Sequence, residues 1–297
     1  MDSRLHELQG WRMSRFKPAF MCASLVGAML IGSVINLAWP VIISQMNDRS
    51  FLERSEQNPK LSDYEQENVF KALLKEVEEK HLPDNLAVVP ITSYAAWLFS
   101  RGRYAESKLF SSDCAARCSK LDSGWSQWKA ASMQRSALCQ HFLFLHGHGK
   151  PPSVQDVKDI ETALAIQKGF AKPDEEFILD TTEEIAEIYC DNKNYGKAQN
   201  YFNEGTAMAR RLKGRHLSYY LAGQARLLAC EGKEKDADKL FEQAVHISDT
   251  TYGGGSEQSE SVIRKFAIAL KSAGLDKYGN QIAQKLDDEA SIEKDDY

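Results

Sequence analysis

Proline is scarce in this chain, with eight in 297 residues. A proline has no backbone N–H and breaks a helix interior, so its rarity leaves long helices free to form. Runs of alternating β-branched residues bounded by turns are also lacking. Asn85 to Pro90 is the only stretch resembling a strand, which excludes a sheet as the main architecture. There is no excess of positive charge: 42 acidic residues outnumber 37 basic ones and the formal charge is −5. Without a net basic field to recruit phosphates, nucleic-acid binding is disfavoured. No disulfide framework is present either. Of six cysteines, the five outside the uncharged run 19–45, Cys114, Cys118, Cys139, Cys190 and Cys230, are an odd number without framework spacing. The phosphate-loop signature fails as well. In Gly147-His148-Gly149-Lys150 the next residue is Pro151, where Ser or Thr is needed, and the first glycine is missing. Gly253-Gly254-Gly255-Ser256 follows no strand, which excludes a nucleophile elbow.

One further absence is positive evidence. From Ala19 to Gln45 there is no Asp, Glu, Lys or Arg. Phe20 to Ile43 is 24 residues, longer than the roughly 20 needed to span a bilayer as helix. Trp39 suits an interfacial anchor, and Asn36 is the main polar intrusion. A cleaved signal peptide would carry an apolar region of about 7–15 residues and a small-x-small site. Here the run is longer, and Asn36 stands two residues before Ala38. The expectation is an uncleaved transmembrane helix over 19–45, after an N-terminal segment 1–18 and before a polar linker 46–60. Arg4, Arg12, Arg15 and Lys17 precede the span, whereas Arg49 and Arg54 are the nearest basic residues after it. The positive-inside rule then makes the protein single-pass, with a cytoplasmic N-terminus and an extracytoplasmic remainder. The cysteine usage pulls mildly the other way.

What is present beyond the linker is helical periodicity. Ser62-Asp63-Tyr64-Glu65 has the form of a capping box. It opens a stripe of Val69, Phe70, Leu73, Leu74 and Val77, closed by His81-Leu82-Pro83-Asp84. Further helices are expected around Tyr94–Leu98, from Tyr104 into Phe110, and over about Trp125 to Leu145. Ser153 to Asp156 can cap another, and Asp180 and Glu183 repeat the capping logic before Ile185. Thr251 to Ser256 reads as a flexible connection before Phe266, Ala269, Leu270 and Ala273, and 291–297 as an acidic tail.

Ala186, Ala198, Phe202 and Gly205 recur at an offset of 39 residues as Ala225, Ala237, Phe241 and Ala244. A fixed period of small and aromatic residues marks stacked helix pairs, which bury their apolar faces only against neighbours. Ile185, Ala186, Tyr189, Asn194, Tyr195, Ala198, Phe202 and Gly205 together resemble the tetratricopeptide repeat family. Ala225, Leu228, Gly232, Ala237, Phe241 and Ala244 match nearly as well. Weaker copies run through Ala95, Leu98, Gly102, Tyr104 and Ser107, and through Ala267, Leu270 and Gly274. The longer period and the Thr251–Ser256 connection look like kinesin-light-chain-type repeats. The resemblance implies an all-α solenoid of about four or five antiparallel helix pairs over 61–290. It also implies a concave groove lined by the first helix of each pair. Carried onto this chain, the groove residues are Glu183, Glu187, Tyr219, Ala222, Arg226, Arg264 and Lys271.

Other constellations are weighed against plainer explanations. His141, His146 and His148 cluster with Cys139, but helical zinc pairs need i, i+4 spacing, and these histidines stand at i+5 and i+7. Cys114 and Cys118 are i, i+4, a spacing commoner in packing than in metal sites. Trp125 and Trp128 fit inter-helix packing. The expected function is therefore a non-catalytic, membrane-anchored scaffold or adaptor that binds a protein or peptide in its groove, with no cofactor and no assigned oligomeric state. Two alternatives stand beside it. One is an enzyme or metal protein with its site around Cys139 to His148; the other is a secreted periplasmic binding module after signal cleavage.

Overall fold

Ser62 starts the first helix as its residues dictate. Its hydroxyl accepts from the Glu65 amide at 3.3 Å, and the Glu65 carboxylate accepts from the Ser62 amide at 2.9 Å, so two otherwise free donors are satisfied. This chemistry opens α1 (Asp63–Glu79), which buries Phe70, Leu73 and Val77. The computed structural model describes residues 60–284 apart from 213–215, 254–255 and 273, all within the unit Ser50–Tyr297. The expected N-terminal segment, the membrane helix over 19–45, the linker up to residue 59 and the acidic tail lie outside the described residues. Among the described residues no helix is long and apolar enough to cross a membrane.

The chain continues as α2 (Asp84–Ser100), α3 (Tyr104–Cys118), α4 (Ser126–Leu145), α5 (Val154–Lys168), α6 (Glu175–Asp191), α7 (Tyr195–Leu212), α8 (His216–Cys230), α9 (Glu234–Tyr252) and α10 (Glu257–Ser272). Helical backbone follows at 276–284, and the described residues include no strand. Each helix packs on the next. In addition α6 touches α4 and α8, and α10 touches α8 and α4. The result is a stack of helix pairs, α2/α3, α4/α5, α6/α7 and α8/α9, with α4, α6, α8 and α10 side by side as its inner layer.

The repeated residues are the contacts of that stack. Ala186, Ala198, Phe202, Ala225, Ala237 and Ala244 are fully buried, and Phe241 is nearly so. A Cβ added at Gly205 would lie 1.9 Å from the Tyr220 ring, and one added at Gly223 would lie 2.2 Å from the Phe202 ring. The absent side chains are what admit these two aromatics into the seams between α6, α7 and α8. In the next interface Phe241 stacks on Phe266 at 4.4 Å. The turns repeat too. Lys193 (φ 58°) and Gly232 (φ 78°) hold the left-handed position one period apart. Asn194, which matched the repeat pattern, is the next one along; the Lys193 and Asn194 amides close the helix on the Cys190 and Tyr189 carbonyls at 2.9 and 2.8 Å.

Several sequence expectations need correcting. Asn85 to Pro90 is the start of α2, not a strand. Ala87, Val88, Val89, Pro90 and Ile91 are all buried, and a helix covered on every side shows no polar stripe. Asp180 and Glu183 do not cap α6. Its cap is Asp174, whose carboxylate accepts from the Phe177 amide at 3.0 Å. Thr251 and Tyr252 belong to α9, so the connection begins only at Gly253. Ser153 and Asp156 do form the expected capping box of α5.

Candidate functional site

The inner face of α6 carries Glu183, Glu184, Glu187 and Asp191, at spacings of three, four and seven that place all four on one side of a helix. Four adjacent carboxylates repel one another unless cations meet them, and three inner helices supply these. From α4, His141 Nε2 meets Asp191 at 2.6 Å and Nδ1 meets Glu184 at 3.3 Å. From α8, Arg226 donates to both Glu187 and Asp191. From α10, Lys265 donates to Glu183 and lies 3.7 Å from Glu184. Arg226 is only 1 % exposed, and His141, Glu183 and Glu187 are all buried.

The surroundings set the protonation of each group. Burial pushes the Glu183 carboxyl up to about 7, against the pull of Lys265. Burial alone would lower the His141 imidazole, but its hydrogen bonds to Asp191 and Glu184 outweigh this and hold it at about 9. Asp191 is likewise desolvated, yet the Arg226 charge and His141 keep it below the usual carboxylate range. A charged, hydrogen-bonded network in low dielectric is strongly coupled, and α6 is its hub.

Of the seven residues expected in the groove, the structure brings Glu187, Tyr219, Ala222 and Arg226 together around one cleft, with Gly223, Val262, Lys265, Phe266 and Ala269. Its cavity is about 10 Å³, the size of a single water. Glu183 joins the same network through Lys265, whose ammonium also lies 5.7 Å from the centre of the Tyr219 ring. Arg264 is half-exposed and pairs with Glu260 at 3.1 Å within α10. Lys271 is exposed, and its stem lies against Gly279. Glu183, Glu187 and Arg226, expected to line the groove, are desolvated and paired: Glu187 with Arg226, and Glu183 with Lys265. Glu187 and Arg226 stand 39 residues apart, so opposite charges occupy the same position in adjacent inner helices and meet.

Sequence reasoning missed Glu184, Asp191 and Lys265, and weighed His141 only as a candidate metal ligand beside Cys139. A signal existed for the acids, in the i+4 and i+7 series on α6. None existed for Lys265, which crosses 82 residues to Glu183. Gly223 and Lys265 line the same cleft beside Glu187. The histidine and cysteine cluster does not converge. Cys139 is buried and raised to about 11 by burial, His146 stacks on Tyr104 at 5.9 Å, and His148 is exposed. Among the described residues no group of three or more His, Cys, Asp or Glu is placed to hold a metal. Trp128 is buried with Trp125 at 6.1 Å, a packing contact.

No family model matches the chain, and no curated protein matches it. Solved structures resemble it, among them two of a candidate kinesin light chain from Podosopora anserina with nearly identical TPR-like repeats. One, a single-substitution form, is 18% identical with a TM-score of 0.48, covering 69% of this chain and 95% of that one. The other is 18% identical with a TM-score of 0.46, covering 69% and 94%.

Proposed function

We propose that the protein is a non-catalytic helical-repeat scaffold, held at a membrane by residues 20–43, that binds a protein or peptide partner along its inner layer. The observation that carries this reading is the stack itself. Inner helices set side by side build an extended surface, while the cleft at the ionic centre holds no more than a single water. An extended face suits another chain better than a small substrate. Because Glu183, Glu187 and Arg226 are already paired, they shape this face from beneath. The partner then meets the rim: half-buried Tyr219, half-exposed Arg264 and exposed Lys271, with Ala222 as floor. An aromatic beside cations gives contact area and orientation. The N-terminus lies in the cytoplasm and the helical unit on the other side, as the charge asymmetry across residues 19–45 suggests.

The test is a pull-down with the full chain in detergent, compared with a Tyr219→Ala/Arg264→Glu variant and read by mass spectrometry. The scaffold reading expects a discrete partner set that the variant loses while its melting temperature stays unchanged. An unaltered set would move the working surface to the helix ends or the outer helices. Carbonate extraction tests the anchor; release of a protein shortened by about forty residues would show a cleaved signal peptide instead.

A further inference from the structure

A row of polar groups along α4 belongs to neither the ionic centre nor the binding rim. Trp128, Ser132 and Arg135 stand at spacings of four and three, which puts them on one side of the helix. Ser132 and Arg135 both act on Cys114, so this side meets α3. The Ser112–Ser136 hydroxyl bond of 2.9 Å pins the two helices together one residue from both Ser111 and Arg135. Ser111 Oγ, Ser132 Oγ, Trp128 Nε1 and Arg135 Nη1 are all buried without a hydrogen-bond partner among the described residues. Each of the four can donate, and none has an acceptor. Ser111 and Ser132 are fully buried, whereas Arg135 is half-buried and keeps part of its side chain at solvent.

An arginine keeps its charge at neutral pH, and a buried charge without a partner is costly. Among the described residues the ionisable groups whose field reaches Arg135 are two thiols, Cys139 and Cys114, and no carboxylate. Burial holds Cys139 protonated, at about 11. The Cys114 and Cys118 sulfurs lie 4.0 Å apart, and their contact lowers one thiol as it raises the other, so the pair adds no settled negative charge. A trapped water would satisfy the serines but would leave the guanidinium unneutralised. We propose that Ser111, Ser132 and Arg135 bind a small monovalent anion of the chloride class, which staples α3 to α4. The anion accepts from both hydroxyls and from Arg135 Nη1, and hydrogen bonds of this charge-assisted kind are the strong ones. Full burial of the serines suits a single-atom anion. A phosphate or a peptide carboxylate would bring further oxygens that need donors of their own. The same helix carries His141 to the ionic centre, so an anion here seats the helix that completes that network.

The experiment melts the full chain in detergent with sodium gluconate, a bulky organic anion, and then replaces gluconate by chloride at constant ionic strength. An ion that binds only the folded seam stabilises it by mass action. The melting temperature should rise and saturate, by about 5 °C or more at a hundredfold excess over the half-effect concentration, and bromide should act alike. Arg135→Gln should abolish the rise. In gluconate that variant should melt no lower than the parent, because an unpaired buried charge has gone. Ser132→Ala should move the half-effect concentration up by about tenfold or more. A melting temperature indifferent to chloride overturns the proposal, and so does a rise that Arg135→Gln retains. If the Cys114 thiolate were the counter-charge, chloride would do nothing and Cys114→Ser would lower the melting temperature; that pattern also refutes the site. Should Arg135→Gln not fold, Ser132→Ala decides alone: a half-effect concentration moved upward supports the site, and one unmoved refutes it.

Discussion

Arg226 is the residue on which most of the inner layer turns. Removing it leaves Glu187 buried without its cation and Asp191 with His141 alone, and breaking a buried pair in this way costs about 3–5 kcal/mol. Arg226→Ala should therefore lower the urea midpoint sharply, whereas the exposed Lys271→Ala should leave it nearly unmoved. The titrating groups give a pH dependence of definite sign. His141 is raised from 6.5 to about 9 in the folded protein, so its contribution is full below about 6.5 and lost as pH rises through 9. Glu183, raised from 4.5 to about 7, also favours its protonated form, so its contribution is present below about 4.5 and gone above 7. Asp191 and Glu184 are lowered, and their contributions disappear in acid. The melting temperature should thus fall between pH 6.5 and 9, and His141→Asn should flatten that fall. At this scale the 39-residue period set Glu187 and Arg226 at equal positions of neighbouring helices, but both were expected as groove residues open to a partner rather than as partners of each other. It did not make burial legible: charge alone does not tell a solvated residue from one that a third helix covers. Lys265 supplies that cover, from a helix whose approach no local pattern records.

Elements were most legible where their ends are made by adjacent residues. Ser62 and Ser153 cap their helices through partners three positions away, so the sequence contains the whole interaction. Ser62→Ala and Ser153→Ala should each cost about 1 kcal/mol, read as a shift in the denaturation midpoint without loss of helical circular dichroism. The start of α6 was less legible because Asp174, Asp180 and Glu183 are all plausible caps from sequence, and only packing of Phe177, Ile178 and Leu179 draws the helix back to Glu175. α2 was hidden for the opposite reason. Its apolar residues face neighbours on every side, so β-branched residues and Pro90 resembled a strand.

For the whole molecule, the stack of helix pairs was readable because repeated small and aromatic residues state their own neighbours. The closure of the inner layer was not, because it depends on α10 reaching α4 and α6 past α8. That closure sets the functional reading: the face is completed by the protein's own charges and offers a partner its rim. A double-mutant cycle between Glu187→Gln and Arg226→Met, measured by urea denaturation with and without 1 M NaCl, tests this directly. A sealed ionic centre predicts a coupling of about 1–3 kcal/mol that salt leaves unchanged. Changes that simply add to within about 0.5 kcal/mol, or a coupling that vanishes in salt, would mean an open, solvated groove and contradict the account.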